Sequence, residues 1–172
     1  HDSINYVCDS AHKMPFEDES FNITTSFATL EHIPDPLKAV EEMVRVTASR
    51  GVIYIQAAPL WCDPYGHHKK NLFPQDPWIH LRYPEPELMK EYFGGICHDH
   101  FKGEPISNHI DYIFSDAFNR CNVDSYKKIL CSIMEQVTPI TVRFITNFKY
   151  LSLMTPRIKK ELSAYSEENL FS

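Results

Sequence analysis

Hydrophobic and polar positions change their spacing repeatedly over the first sixty residues of the chain. Residues 4–8 and Phe21 to Phe27 are short segments rich in β-branched and aromatic side chains, which predicts two strands. Residues 52–55 form a nearly continuous apolar run, typical of a strand that is covered on both faces. The pattern therefore predicts three short strands in this part of the chain.

A helix is predicted between the second and the third of these strands. Asp35 is a suitable N-cap, Pro36 suits the first helical position, and Gly51 follows the end of the helical pattern near residue 48. The apolar side chains at helical spacing are Leu37, Val40 and Val44, with Met43 beside them. Strand, helix and strand in this order predict a right-handed parallel crossover and an α/β fold.

The pattern becomes irregular after residue 58. Residues 59–118 contain six of the nine histidines, both tryptophans and seven of the twelve prolines. This composition favours an insert or lid on the ligand side of the sheet over a regular layer. One helix is predicted inside it, from Glu85 to Phe93, closed by the following glycines.

The remaining residues, 119–172, return to regular spacing and are expected to complete the core begun by residues 1–58. A helix is predicted over residues 125–137, and the alternation over residues 140–148 predicts a strand. Thr155 precedes a last predicted helix. Residues 167–171 are similar to the segment that leads into a final antiparallel strand.

Charge and composition exclude several classes of protein. The net charge of −6 and the absence of a basic run argue against nucleic-acid binding by phosphate neutralisation. No apolar stretch approaches the roughly 20 residues of a membrane span. Five cysteines without a CxxC pair favour reduced thiols and a cytoplasmic location.

All five glycines lie at or after residue 51, so the first fifty residues hold no glycine-rich nucleotide loop. No pattern indicates an oligomeric state.

Ligands of open α/β sheets bind beyond the carboxyl ends of the strands. This rule predicts a site formed by residues 9–11, 28–32 and 57–61, which follow the three predicted strands. Asp9 at this edge can accept hydrogen bonds from an amine or hydroxyl of a ligand. It can equally cap a turn, and its position alone does not separate the two roles.

The same residues carry a resemblance to a known family. Five short elements occur in order, namely Asp9-Ser10-Ala11, Met14-Pro15-Phe16, Asp18, Ser20-Phe21 and Leu30-Glu31-His32-Ile33-Pro34-Asp35-Pro36. Together they resemble the second half of the core of class I S-adenosylmethionine-dependent methyltransferases, the type 11 group in particular. One departure is Asn22, where the family usually has aspartate.

The resemblance implies a Rossmann-like methyltransferase sheet, with the insert after its fifth strand, and S-adenosylmethionine as the cofactor. It implies that Asp9, Ser10 and Ala11 hold the adenine, and that Ser26, Phe27 and Ala28 lie along the methionine part. Glu31 and His32 would lie at the active-site mouth, with His32 near the cofactor. The family's glycine loop and ribose-binding acid have no counterpart here. We therefore expect a partial domain that is inactive by itself.

The insert resembles, more loosely, the substrate-covering segment of some type 11 methyltransferases. Trp61, Tyr65, Trp78 and His80 would then enclose the acceptor, and for Trp61 and Trp78 packing is the alternative role. His67 or His68 is the candidate base, favoured over His32, the alternative being a hydrogen-bonded lid residue. The implied reaction is methyl transfer to an oxygen or nitrogen of a small or medium organic acceptor. A non-catalytic remnant or a partner-binding domain is the alternative function.

Two groups of residues have the side-chain types of a metal site. They are His67 and His68 with His80 and Cys62, and the run Cys97-His98-Asp99-His100. Neither has the spacing of a recognised metal motif. Neighbouring side chains of an extended segment also point to opposite sides. The sequence therefore predicts no metal.

Overall fold

The computed structural model describes residues 4–94, 100–101, 103–145 and 148–171. The strands are β1 (Phe21–Phe27), β2 (Thr47–Gln56), β3 (His100–Phe101) and β4 (Glu104–Pro105). The α-helices are α1 (Pro36–Val46), α2 (Ile79–Arg82), α3 (Pro86–Phe93), α4 (Ile106–Phe114), α5 (Val123–Ile133), α6 (Pro156–Glu161) and α7 (Glu167–Leu170). Two 3-10 helices cover Leu30–His32 and Phe148–Leu153. No described helix is long and apolar enough to cross a membrane.

The predicted strand, helix and strand are present as β1, α1 and β2. The Asp35 side chain accepts a hydrogen bond from the Lys38 N–H at 3.1 Å, and Pro36 occupies the first turn of α1. β1 and β2 pair in parallel, from Ile23 opposite Val52 to Phe27 opposite Gln56. The helix ends slightly earlier than predicted because the chain enters β2 directly at Thr47. A small parallel α/β unit is thus confirmed.

Two expectations about strands in this unit are wrong. Residues 4–8 have no regular secondary structure and are exposed, because no described strand lies beside them to complete a ladder. The apolar run of β2 is not covered on both faces. Val52, Tyr54 and Ile55 are all exposed, Tyr54 to 49%.

The region after residue 58 contains more helix and more core than its irregular pattern indicates. The helix predicted before Gly94 is confirmed as α3, and α2 and α4 lie on either side of it along the chain. Side chains from these helices and the preceding loop form one buried cluster. Its members are Phe73, Ile79, Met89, Phe93, Ile110 and Ile113.

Two further clusters connect distant parts of the chain. The first joins the insert to the C-terminal helices and comprises Cys62, Trp78, Leu81, Ile158, Leu162, Leu170 and Phe171. The second joins α1 to α5 and comprises Leu30, Ala39, Val40 and Ile133. The segment that begins at residue 59 therefore packs against the C-terminal helices through a shared hydrophobic cluster.

The C-terminal helices follow their local signals, but the strand predicted over residues 140–148 does not form at residues 140–145, and residues 146 and 147 lie outside the described residues. Asn122 and Ser125 make reciprocal capping contacts at the start of α5, and Thr155 caps α6. Residues 140–145 have no strand structure and no ladder partner within the described chain, since alternation alone supplies no neighbour. The segment that is similar to the lead into a final strand contains the short helix α7.

Candidate functional site

The carboxyl ends of β1 and β2 lie side by side. The Ala28 N–H donates to the Gln56 carbonyl at 2.9 Å, which extends the pairing one residue beyond β1. Ala28 then takes a left-handed conformation, with φ of 44°, and the chain turns into the 3-10 helix at Leu30–His32. This turn directs Glu31 and His32 to the edge of the sheet where ligands of α/β proteins bind.

The residues expected to hold an adenine lie in an open groove. Asp9, Ser10 and Ala11 line it together with Tyr6 and Met14, and its volume is about 450 Å³. The Asp9 carboxylate is exposed and accepts a hydrogen bond from the Ser10 N–H at 2.7 Å. Asp9 therefore makes the turn contact that the sequence left as an alternative, while it still faces solvent.

A second groove, of about 480 Å³, adjoins the first. Ala11 lines both grooves, as do Met14 and Phe16. Ser26 and Phe27 line the second groove, whereas Ala28 and His32 line neither. The structure therefore brings five of the seven expected cofactor residues to two connected grooves.

Arg45 holds the loop between these grooves, a role that sequence reasoning missed. Its guanidinium donates to the carbonyls of Met14 and Phe16 at 3.0 and 2.8 Å and to Asp18 at 2.8 Å. It also pairs with Glu42 at 2.7 Å, which lowers the pKa of that carboxyl to about 2. The only available signal was a cation in the last turn of a predicted helix.

His67 and His80 lie inside the protein. The Lys69 N–H donates to His67 Nδ1 at 3.0 Å, and His80 Nε2 donates to the Trp61 carbonyl at 2.6 Å. Burial holds the pKa of His67 well below its usual value and lowers that of His80 to about 4, so both rings are neutral. A base must reach its acceptor, and this placement favours the packing role for both.

Most of the residues expected to enclose an acceptor are also core residues. Trp78 is 0% exposed, and its indole N–H is shared by the carbonyls of Cys62 and Leu170 at 3.2 and 3.0 Å. The Tyr65 hydroxyl donates to the Pro74 carbonyl at 2.8 Å. These contacts satisfy the polar atoms of both aromatic side chains and fit the packing alternative.

Trp61 and His68 are only half-buried. The Trp61 ring contacts His80 and Phe118, with centroids 4.6 and 5.9 Å apart, and the Arg120 guanidinium lies over it at 5.5 Å. His68 contacts the same Phe118 at 4.9 Å. Of the two candidate bases, His68 is therefore the one that solvent reaches.

His68 lies beside two residues that follow β1. One ligand atom from each of Glu31, His32 and His68 lies within 4.8 Å of the others. The two imidazole centroids are 4.8 Å apart. His32 and His68 are far apart in sequence and share no motif, so only the fold shows that they meet.

Burial changes the charge preferences of this cluster. Desolvation raises the pKa of Glu31, although nearby backbone N–H groups and His32 oppose the rise. Desolvation lowers the pKa of His68, partly offset by its contact with the Pro59 carbonyl. The cluster therefore holds a His68 ring that favours its neutral form and a Glu31 carboxyl group that is costly to ionise. Of the metal-ligand groups weighed from sequence, Cys97, His98 and Asp99 and the side chain of His100 lie outside the described residues.

Known proteins resemble the N-terminal third of the chain. Residues 1–55 match the family model described as a methyltransferase domain. An uncharacterized methyltransferase of Mycobacterium sp. (strain JLS) is 37% identical over 67 residues, which cover 39% of this chain and 26% of that protein. The demethylmenaquinone methyltransferase of Paenarthrobacter aurescens (strain TC1) is 33% identical over 76 residues, 41% of this chain and 30% of that protein.

The resemblance that the five ordered elements predicted is thereby confirmed for the residues that form β1, α1 and β2. The aligned part of the chain spans roughly a quarter to a third of the length of these curated relatives, 26% and 30% in the two cases. No solved structure matches the chain with significance.

Proposed function

We propose that the chain is part of an S-adenosylmethionine-dependent methyltransferase that methylates an oxygen or nitrogen of a small or medium organic acceptor. One observation carries the proposal. The residues that match a methyltransferase domain are the residues that form the parallel β1, α1 and β2 unit and its two grooves. The proposal also places the protein in the cytoplasm, which accords with the free thiols of the four described cysteines.

The size of the grooves and the exposed Asp9 carboxylate beside them support a nucleoside cofactor. Their volumes, about 450 and 480 Å³, are in the range of small-molecule pockets, and Ala11 connects them. In the proposed complex, the Asp9 carboxylate accepts from the adenine amine, and Ser26 and Phe27 lie along the methionine part. The cofactor supplies an electrophilic methyl group on a sulfonium. The chain holds the cofactor and the acceptor in reactive geometry, which accounts for most of the catalysis in such a displacement.

A base is needed only where the acceptor is a weak nucleophile. Of the two histidines proposed from sequence, His68 is half-buried and His67 is buried. Because its pKa is lowered, His68 is neutral near pH 7 and can accept a proton. We therefore place this role at His68. Trp61 is the half-buried aromatic residue that contacts the same Phe118.

The test is a mass-spectrometric screen of acceptor pools with the protein made from its complete coding sequence. The methyl donor carries a deuterated methyl group, so that transfer marks the product. The expected result is a product whose labelled methyl is bound to oxygen or nitrogen. No labelled product, together with no binding of the donor, would refute the proposed activity.

A partner-binding function is the second candidate, because the small sheet exposes apolar side chains. Ile23 is 65% exposed, and Phe27 and Tyr54 are also exposed. The coding sequence discriminates between the candidates. An enzyme requires an upstream strand followed by Gly-x-Gly and an acidic residue about twenty positions further on, and a partner-binding domain requires neither.

A further inference from the structure

The Glu31 carboxylate has an unusual environment. Glu31 is 4% exposed, and neither carboxylate oxygen makes a hydrogen bond to the described part of the chain. The backbone N–H groups of Glu31 and Ala58 lie near it without reaching hydrogen-bond geometry. A buried carboxylate without a partner is costly, so it needs either a bound proton or a cation.

Two imidazole rings lie beside the Glu31 carboxylate and could hold a cation against it. Ligand atoms of Glu31, His32 and His68 lie within 4.8 Å of one another. Glu31 and His32 are adjacent, but they lie in the 3-10 helix Leu30–His32 and not in an extended segment. Successive side chains of a 3-10 helix point about 120° apart and not to opposite sides, and here the ligand atoms of the two residues lie within 4.8 Å of each other.

The outer contacts of both rings are those of metal-bound histidines. His32 Nδ1 lies 2.8 Å from the Ala117 carbonyl, and His68 Nε2 lies 3.3 Å from the Pro59 carbonyl. A ring nitrogen that faces a carbonyl carries the proton, which leaves the lone pair on the other nitrogen. Metal-ligating histidines are commonly held in this way.

We propose that Glu31, His32 and His68 bind one divalent transition-metal ion and leave at least one coordination position open. Two imidazoles and one carboxylate are a known donor set for zinc and for ferrous iron. Rotations that move the side-chain ends by about 1 Å bring these donors to the roughly 2.0–2.2 Å that zinc requires. This proposal replaces the expectation of no metal and does not depend on methyltransferase activity.

The ion would join the residues after β1 to the loop that begins the insert. Coordination uses the lone pair of His68, so His68 cannot be ligand and base at the same moment. In the metal-bound protein its role is therefore coordination. Removal of the ion frees His68 for the base role described above.

The test is calorimetric titration of Zn²⁺ into metal-stripped protein made from the complete coding sequence. We expect one ion per chain, and a rise in the melting temperature with zinc. Glu31→Gln and His68→Asn should each weaken binding at least about 100-fold, more than the 10- to 100-fold cost of losing an outer contact. Asparagine suits position 68 because His68 has φ of 57°. Glu41→Gln changes an exposed residue of α1 and is the matched control. It should bind zinc as tightly as the unmodified protein.

A cobalt spectrum separates this site from the cysteines. Cobalt at Glu31, His32 and His68 should give d–d bands without a thiolate charge-transfer band. A thiolate band, equal zinc affinity in Glu31→Gln, or no zinc uptake would each overturn the proposal. In the last case Glu31 simply holds a proton. If Glu31→Gln loses zinc while S-adenosylhomocysteine still binds, the metal site stands apart from the cofactor site.

Discussion

Residues 4–58, the N-terminal unit, and residues 59–171, the C-terminal region, differ in how their sequence patterns relate to burial. The N-terminal unit has the clearest periodicity, yet Ile23 and Tyr54 of its sheet are exposed. The C-terminal region has the least regular pattern, yet it encloses Trp78, Ile79 and Met89 completely. Periodicity thus indicates which local element a segment can form, whereas burial depends on what packs against it.

The difference also changes the interpretation of aromatic residues and histidines. On the ligand side of a sheet, Tyr65, Trp78 and His80 are suited to enclose an acceptor. In the structure they lie in the core, and carbonyl groups accept hydrogen bonds from the Tyr65 hydroxyl, the Trp78 indole N–H and the His80 Nε2–H. The residues that line the two grooves described above belong to the N-terminal unit, where the aromatic content is lower.

The largest expected effect that tests this comparison is the loss of a core indole. Trp78→Ala should lower the free energy of unfolding by about 3–5 kcal/mol, because it leaves a cavity and two unpaired carbonyls. Tyr54→Ala, in the exposed sheet, should cost less than about 1 kcal/mol. Urea denaturation measures both. Equal costs would contradict the assignment of Trp78 to the core.

The next largest effect concerns pH. The pKa of buried His80 is lowered to about 4, so between pH 6.5 and 4 the unfolded chain binds a proton that the folded chain does not. The free energy of unfolding should therefore fall as the pH falls through this window, by about 3 kcal/mol from His80. His67 adds in the same direction.

Denaturation curves at pH 7, 5.5 and 4 measure this slope. His80→Gln removes the titrating ring while it keeps a donor for the Trp61 carbonyl, and should flatten the slope. An unchanged slope in His80→Gln would mean that the ring is not buried in a neutral form.

These two regions also show which features sequence reasoning can reach. The bounds of β1 and the start of α1 follow from neighbouring residues, such as the cap at Asp35, and were predicted correctly. The strands at residues 4–8 and 140–148 were predicted from the same kind of pattern, but a strand also needs a partner, which no local signal provides. The meeting of Glu31 with His68 depends on tertiary folding and has no local signal.

A smaller and more local effect is expected at the loop that separates the two grooves. Arg45→Gln removes the charged contacts to Asp18 and Glu42 and the hydrogen bonds to two loop carbonyls. Backbone amides of residues 14–18 should then exchange with deuterium about tenfold faster, while those of α3 and α4 stay unchanged. Exchange that accelerates equally in both regions would indicate a global loss of stability.

The smallest effect on stability is expected on the exposed face of the sheet. Ile23→Thr keeps a β-branched residue in β1 and should change the free energy of unfolding by less than about 0.5 kcal/mol. It should lower the fluorescence of a dye that binds apolar surface. A large loss of stability would show that Ile23 is covered in the protein, contrary to its exposure of 65%.

The most direct test of the central claim, that the N-terminal unit carries the cofactor site, is calorimetric titration of S-adenosylhomocysteine into protein made from the complete coding sequence. Because Asp9→Ala loses one charge-assisted hydrogen bond, we expect this variant to bind S-adenosylhomocysteine about 10- to 100-fold more weakly. Asp116→Ala, which removes an exposed carboxylate of the C-terminal region, should bind normally. Equal affinity of the unmodified protein and Asp9→Ala would contradict the assignment.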